Sequence, residues 1–279
     1  MTATVTTRQV SAITGPCDPS HLRVFRAATR AEWTKMRSVR STIWTLLVAV
    51  VLAVGFSALV GATHVNTWDT LDPIEQAGFD PTFFSLSGLL FAQLAIGVLG
   101  VLMATSEYAT GQIRATLAAT PQRLTVLAAK ATTFVGVVFV VGLVLSFSAF
   151  GIGQAIFSSK GIDASLNDPG VLRAVIGGAL YLATVGVLGL GLGTIIRRTA
   201  GAIAGFVGLI LVLSVVSNFL PASWNQHVTK YFPARAGAAV FSVVPDPTSL
   251  SPWSGFAVLL AYATVALIAG GLLLARHDA

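Results

Sequence analysis

The sequence is poor in charge and in cysteine, and both deficits narrow the class of protein. Only 10% of its 279 residues are charged, whereas 54% are apolar. Soluble domains carry about 25% charged residues, so an ordinary soluble enzyme and a disordered chain are both excluded. The single cysteine, Cys17, cannot form an internal disulfide, which excludes a disulfide-stapled secreted domain. The class that remains is a polytopic α-helical membrane protein.

Charge is missing altogether from six long windows of the chain. Each window contains at least 21 residues, and about 20 apolar residues are enough for a helix to cross a bilayer. A β-barrel would instead show alternating strands of about ten residues. The sequence therefore predicts an all-α polytopic membrane protein with six transmembrane helices. The windows are 42–62, 84–104, 131–157, 174–196, 199–220 and 253–275.

Basic residues are distributed unevenly between the two sides of the predicted spans. The N-terminal region, the loop after the second span, the turn after the fourth and the C-terminal tail carry 13 of the 17. Lysine and arginine are enriched in cytoplasmic loops, so both termini are predicted to be cytoplasmic. The net charge of +6 then reflects topology and contact with the lipid bilayer. No nucleic-acid partner is predicted.

The residues before the first span form two regions. Residues 1–19 lack hydrophobic periodicity and are predicted to be a disordered cytoplasmic tail. Over 20–41, apolar side chains and arginines fall on adjacent stripes of a helix, which predicts an amphipathic helix in the inner membrane interface. A plain basic anchor is the alternative. The side chains that define this interfacial helix are Arg23, Arg26, Arg30 and Trp33.

The cytoplasmic loop 105–130 is more organised than a bare connector needs. Ile113, Leu117 and the alanines between them predict a short helix, and Pro121 is expected to end it. An ordered cytoplasmic helix between two spans suggests a docking surface for a partner.

The two larger outer connections differ in character. Loop 63–83 is acidic but lacks the spacing of a calcium loop, so it is predicted to be a solvated surface. Segment 221–252 contains an apolar run at 236–244, bracketed by prolines. Nine residues cannot span a bilayer, so this run predicts a re-entrant half-helix in the outer leaflet.

Motifs of nucleotide-binding and nucleophilic enzymes are absent. The chain contains no GxxxxGK[ST], HExxH, CxxC or GxSxG. The predicted spans contain no Asp or His, which counts against proton-coupled transport, since that usually needs a titratable group at depth. We therefore expect a non-catalytic chain without a bound cofactor or metal. Energy for transport must come from another chain, or the pathway is passive.

Three amide side chains stand out among the polar residues of the predicted spans. A buried amide needs a hydrogen-bond partner in a dry helix bundle. Each of the three therefore either ties helices together or lines a substrate path, and the sequence leaves both interpretations open. The residues are Gln93, Gln154 and Asn218.

Three segments together resemble the permease subunits of type-2 ATP-binding-cassette exporters, especially the drug and antibiotic exporters of actinobacteria. The helix at 20–41 looks like the family's interfacial connector helix. Segment 221–245 is similar to the family's extracellular half-helix pair between spans five and six. A third set of residues matches the family's coupling-helix loop. These are Glu107, Tyr108, Gly111, Ile113, Arg114, Leu117, Pro121 and Arg123.

The resemblance implies a permease of a bacterial cell membrane that forms the substrate pathway of an ATP-driven exporter. Two cytoplasmic ATPase subunits would dock beneath it and bind ATP and Mg²⁺. A second permease copy or a paralogue would complete the pathway, and the substrate would be an amphiphilic drug, an antibiotic or a lipid-like molecule. The alternative is a passive channel, or a structural or sensory six-span subunit without an ATPase partner.

Within the coupling loop, Glu107 and Arg114 are both expected to contact the ATPase, and Arg114 would offer a forked donor. Glu107 is the lone acid at the cytoplasmic end of the second span, where it could pair with a basic group of the partner. The alternative for Glu107 is a pair within the chain, for example with Arg114.

Overall fold

The computed structural model describes residues 21–120, 122–217, 219, 227–244 and 248–276. Every regular element in these ranges is helical, and six helices are long and apolar enough to cross a membrane. The predicted all-α class and the six candidate spans are therefore confirmed for the described part of the chain. These six helices are compatible with a multi-pass membrane protein.

The helices follow one another with short connections. In chain order they are α1 (His21–Ser38), α2 (Arg40–Thr67), α3 (Pro73–Ala77), α4 (Pro81–Ser85), α5 (Leu89–Ala109), α6 (Gln112–Ala119), α7 (Arg123–Phe157), α8 (Val171–Ile196), α9 (Thr199–Val207), α10 (Leu213–Ser217), α11 (Pro233–Ala238) and α12 (Pro252–Arg276). With adjoining 3₁₀ and π turns, the six candidate spans are Arg40–Thr70, Leu89–Ala109, Arg123–Lys160, Val171–Ile196, Thr199–Ser217 and Pro252–Arg276.

The helix before the first span is separate from it. Helix α1 ends at Ser38, and Val39 adopts an extended backbone with φ −86° and ψ 114° before α2 begins at Arg40. The extended residue breaks the hydrogen-bond ladder, so α1 is free to take its own direction. It packs along α7.

The second candidate span begins later than the charge-free window 84–104. Residues Pro81–Ser85 form α4, which has proline in its first turn, and the Asp80 side chain accepts a hydrogen bond from the Phe83 backbone N–H at 2.9 Å. A break follows before α5 starts at Leu89. Counting charges misses this break because the residues on both sides of it are apolar.

On the side predicted to be cytoplasmic, two helices continue beyond their charge-free windows. Helix α5 ends at Ala109 and α7 begins at Arg123, so Glu107 and Lys130 both lie within long helices. The windows stop at the first charge, whereas a helix accepts charged residues near its ends if they find partners or water.

Helix α8 lies at the centre of the bundle and contacts α5, α7 and α12. Its glycines let α5 approach at backbone distance. A Cβ on Gly189 would lie 2.2 Å from the Gly97 carbonyl oxygen, and a Cβ on Gly100 of α5 would lie 2.1 Å from the Gly186 carbonyl oxygen. Small residues at such crossings permit the dense packing that drives helix association in lipid.

The apolar run of the outer connection forms α11 and a 3₁₀ turn, Ala239–Phe241. Residues 236–241 of this run are buried, and they contact α8 and α12. The first half of the predicted half-helix pair, at 221–226, lies outside the described residues. The membrane depth of this segment stays a prediction.

Asp80 corrects the expectation that the whole loop 63–83 is a solvated surface. Asp80 is 6% exposed, and its Oδ2 atom accepts hydrogen bonds from the backbone N–H groups of Val243 at 2.6 Å and Val244 at 2.9 Å. Two backbone donors compensate a buried carboxylate well. Asp80 therefore joins the two outer connections, which are far apart in sequence.

Several expectations fall on residues outside the described ranges. The predicted disordered tail 1–19, Cys17, Pro121 and Asn218 belong to this group.

Candidate functional site

Four charged side chains meet where α1 contacts the ends of α5 and α7. Lys130 Nζ lies 2.7 Å from Glu32 Oε2 and 2.8 Å from Glu107 Oε1. Lys35 Nζ lies 2.8 Å from Glu32 Oε1 and 2.7 Å from Glu107 Oε1. Each ammonium thus contacts both carboxylates, and each carboxylate contacts both ammonium groups. We refer to Glu32, Lys35, Glu107 and Lys130 as the charge cluster.

Most of the charge cluster is shielded from solvent. The side chains of Glu32, Glu107 and Lys130 are 3%, 5% and 7% exposed, whereas the Lys35 side chain is 38% exposed. Buried ions lose hydration energy, and only close pairing with good geometry compensates that loss. The two positive and two negative charges balance, so the cluster carries no net charge into the protein.

Local sequence explains how α1 supplies half of the cluster. Glu32 and Lys35 lie three positions apart and so share one face of the helix. Met36 is buried beside them, while Arg23, Arg26 and Arg30 point outward. The inward face therefore combines an apolar anchor with the paired charges.

The pKa of Lys35 reflects this environment. Burial alone disfavours its charged form, but the hydrogen bonds and Coulombic attraction of Glu107 and Glu32 outweigh that cost and hold the pKa of the ammonium group above its ordinary value of 10.5. Lys35 is therefore a cation throughout the physiological pH range.

Two arginines connect neighbouring helices to the last turn of α12. Arg123 donates a hydrogen bond to the Leu274 carbonyl at 3.0 Å, and Arg197 donates one to the Leu273 carbonyl at 3.0 Å. A cation near a helix C-terminus is favoured because the terminal carbonyls carry partial negative charge. Arg197 also lies over the Tyr108 ring, 5.4 Å from its centroid. These contacts thus join the ends of α5, α7, α8 and α12.

Helix α6 follows directly after the end of α5, beside these joined helix ends. Gly111 precedes it in the left-handed region, with φ 70°, a conformation that glycine adopts at little cost. Ile113 is buried and anchors α6, and Leu117 is half-buried, whereas Arg114 is exposed. One face of α6 therefore packs on the protein and the other is open to solvent.

The structure encloses Glu107 rather than presenting it to a partner. Its carboxylate pairs within the chain, as the alternative interpretation held, but the partners are Lys35 and Lys130 and not Arg114. The structure therefore supports the alternative in which Glu107 pairs within the chain. The reason is that α1 folds back onto the ends of α5 and α7 and covers the carboxylate.

The amides of Gln93 and Gln154 lie in hydrogen-bonded sites inside the bundle. Gln93 donates to the Leu90 carbonyl at 2.6 Å and accepts a hydrogen bond from the Tyr181 hydroxyl of α8. Gln154 donates to Ser85 Oγ at 3.0 Å and accepts from the Ala164 backbone N–H at 2.7 Å. Both side chains tie separate segments together, which favours the structural interpretation.

Sequence inspection missed the partners of the charge cluster. Lys130 stands directly before the third charge-free window, and Glu32 is the one acid of α1. A basic residue at the edge of an apolar helix together with an acid on an amphipathic helix is the signal that could have suggested a buried pair. Their pairing still depends on a contact between residues 98 positions apart.

Comparison with known proteins adds no assignment. Neither the models of protein families nor the curated proteins contain a match to this chain. Among the described residues, no group of three or more His, Cys, Asp or Glu could hold a metal ion.

Proposed function

We propose that the chain is the permease subunit of an ATP-driven exporter and that α6 is the element on which a separate ATPase subunit docks. The observation that carries this proposal is the charge cluster, which joins the interfacial helix α1 to the ends of the second and third spans beside α6. A six-span bundle with such a linked cytoplasmic end is suited to receive force from a partner.

The path of that force follows from the connections. Only Thr110 and Gly111 separate α5 from α6, and the buried side chain of Ile113 holds α6 against the bundle. A push on α6 would therefore move the end of α5. Because Glu107 of α5 pairs with Lys130 of α7 and Lys35 of α1, these three helices would move together.

The exposed face of α6 supplies the docking surface in this proposal. Gln112, Arg114 and Ala115 are exposed on it. An exposed arginine offers a forked donor to a carboxylate or a carbonyl group of a partner, and the small alanines permit close approach. Because Arg114 is exposed, it is the residue of this loop that we propose to contact the ATPase.

The remaining parts of the proposal concern partners and substrate. The sequence holds no phosphate-binding loop, so ATP and Mg²⁺ would bind to two cytoplasmic ATPase subunits. A second permease copy or a paralogue would complete the pathway through a bacterial cell membrane. An amphiphilic drug, an antibiotic or a lipid-like molecule is the proposed substrate class.

Site-specific crosslinking tests the docking surface. The native cysteine is first removed by Cys17→Ser, and a single cysteine is introduced by Ala118→Cys on the exposed part of α6. The protein is coexpressed with a candidate soluble ATPase that carries a GxxxxGK[ST] motif. We expect a crosslink from position 118 and none from the matched control Ala155→Cys, which is exposed at the opposite end of α7.

The outcomes separate the two functional classes. An active complex in which position 118 crosslinks to nothing would place the docking surface elsewhere. Solute flux through vesicles that contain this chain alone, without ATP, would favour the passive channel.

A further inference from the structure

A groove of about 530 Å³ lies between α1 and α7, on the outer surface of the bundle. Helix α1 lines it with Arg30, Trp33 and two threonines, and α7 lines it with two threonines, Gly136 and Val137. Trp33 is 53% exposed. Neither the charge cluster nor the proposed ATPase contact uses this groove.

The charge along the groove is of one sign. Arg30 is exposed and has no ion-pair partner among the described residues, and Arg23 and Arg26 are exposed on the same helix. The one acid of α1, Glu32, is turned inward to the lysines of the charge cluster. The outward face of α1 therefore presents positive charge without compensation.

The threonine hydroxyls of the groove are already committed as donors. Each donates to the carbonyl four residues earlier in its own helix, at 2.8 to 2.9 Å. They therefore present methyl groups and oxygen lone pairs to the groove. Arg30, and the indole N–H of Trp33, remain to donate hydrogen bonds to an anion. The threonines concerned are Thr29, Thr34, Thr132 and Thr133.

The other part of the groove is apolar and open. A Cβ added to Gly136 would meet no atom within 4 Å, so the missing side chain leaves space beside Val137. Farther along the same helix, Val140 and Val144 are exposed. An exposed apolar face on a candidate span is typical of a surface that contacts acyl chains.

We propose that this groove binds one anionic phospholipid, with its phosphate at Arg30 and an acyl chain along Gly136, Val137 and Val140. The volume of the groove exceeds that of a bare phosphate ion, and the apolar part of the groove offers such an ion no favourable contact. The basic part of the groove suits the phosphate of such a lipid, and the apolar part suits its acyl chain. Trp33 also lines the groove, and tryptophan is common at membrane interfaces.

Fluorescence quenching of Trp33 tests the proposal in the full-length protein. The other four tryptophans are replaced by phenylalanine, and the protein is reconstituted in phosphatidylcholine vesicles. A minor, equal fraction of the lipid is either brominated phosphatidylglycerol or brominated phosphatidylcholine. We expect stronger quenching by the phosphatidylglycerol. Arg30→Gln should lower this preference about fivefold, the effect of about one basic contact to an anionic surface.

Matched variants separate a site from a diffuse basic surface. Arg37→Gln removes an exposed arginine of α1 that does not line the groove, so it should change the preference less than Arg30→Gln. Gly136→Leu fills the apolar part and should reduce quenching by chain-brominated lipid. Gly151→Leu changes an equally open glycine of α7 outside the groove and should not.

Four results would overturn the proposal. They are equal quenching by the two lipids, equal losses in the Arg30 and Arg37 variants, equal effects of the two glycine variants, and removal of the preference by inorganic phosphate. The last result would identify a free-anion site instead. The Gly151→Leu control also reports whether a bulky side chain on α7 prevents folding.

Discussion

At the scale of single residues, several buried polar side chains pair with residues far away in the sequence, whereas Glu107 Oε2 and Ser146 Oγ are buried without a hydrogen-bond partner among the described residues. The charge cluster joins two lysines to two glutamates, and Gln93 pairs with Tyr181. Removal of one partner of a buried pair costs more than the pair itself contributes, because the remaining group keeps its desolvation penalty. Substitution of a single partner is therefore the sharpest test of these contacts.

Lys130→Met removes the most buried cation of the cluster. We expect the free energy of unfolding to fall by about 3–5 kcal/mol, because Glu32 and Glu107 then face each other with only the half-exposed Lys35 between them. Chemical denaturation in mild detergent measures the change. Arg114→Ala, on the exposed face of α6, is the control and should stay within about 0.5 kcal/mol of the parent. Equal stability of the Lys130→Met protein and the parent would contradict the buried ion pairing of Lys130.

Lys35 links the stability of the cluster to alkaline pH. Its pKa is raised in the folded protein, so its stabilising contribution is fully present below the ordinary, unfolded-state pKa of 10.5 and is lost as pH rises through the higher folded-state value. Melting temperatures measured across this alkaline range should fall more steeply for the parent than for Lys35→Met. Parallel curves would show that the pairing of Lys35 with the two carboxylates contributes nothing to stability.

Gln93→Leu separates a structural amide from one that contacts substrate. The Tyr181 hydroxyl would lose its acceptor, and we expect a loss of about 1–3 kcal/mol. The double variant Gln93→Leu with Tyr181→Phe removes both polar groups and should recover much of that loss. Thermal unfolding of the parent, the two single variants and the double variant gives the coupling free energy between the two side chains. A change in substrate-stimulated ATPase activity with no change in stability would instead support the substrate path.

At the scale of elements, close contact between helices depends on glycine. Helices α5 and α8 meet through backbone atoms at Gly97, Gly100, Gly186 and Gly189. Helix association in lipid gains little from the hydrophobic effect, so van der Waals contact over such a surface contributes much of the stability. The same helices position Glu107 and Arg197 at their ends.

Gly189→Ala should therefore destabilise the bundle, since its new Cβ would lie 2.2 Å from the Gly97 carbonyl oxygen and force α5 away from α8. Overpacking of this kind costs about 1–3 kcal/mol. Gly151→Ala is the matched control, because its Cβ meets no atom within 4 Å and alanine favours a helix by about 1 kcal/mol over glycine. Unfolding curves that shift equally for both variants would argue against the close α5–α8 contact.

At the scale of the whole molecule, the bundle is joined at both ends by contacts between distant segments. The charge cluster and the arginine contacts to α12 join one end, and Asp80 joins the two outer connections at the other. A bundle fixed in this way can transmit a displacement of α6 to several spans. The proposed function assigns ATP hydrolysis to a separate subunit.

The purified chain alone is therefore expected to show no ATP hydrolysis above background, because its sequence contains no phosphate-binding loop. Addition of the proposed ATPase subunit should give hydrolysis that Arg114→Glu weakens, since the reversed charge would repel the partner's acceptor groups. A coupled phosphate assay on both preparations measures this. Hydrolysis that persists in a partner-free preparation would contradict the permease proposal.

The sequence by itself determined the all-α class and the approximate positions of six candidate spans. The physical reason is local, because each charge in a hydrocarbon core is costly and each span must be about 20 residues long. A short helix at Gln112–Ala119 was also accessible from Ile113, Leu117 and the alanines between them. Such features depend on neighbouring residues alone.

Only the tertiary structure decided which polar residues meet. Glu107 was expected to face a partner, but α1 covers it, and Asp80 was expected in solvent, but the backbone at 243 and 244 encloses it. The residues of these contacts are separated by 72 to 164 positions, and no local pattern encodes such a distance. Close packing at glycines brings the helices together, and the buried charges then find the partners that their desolvation requires.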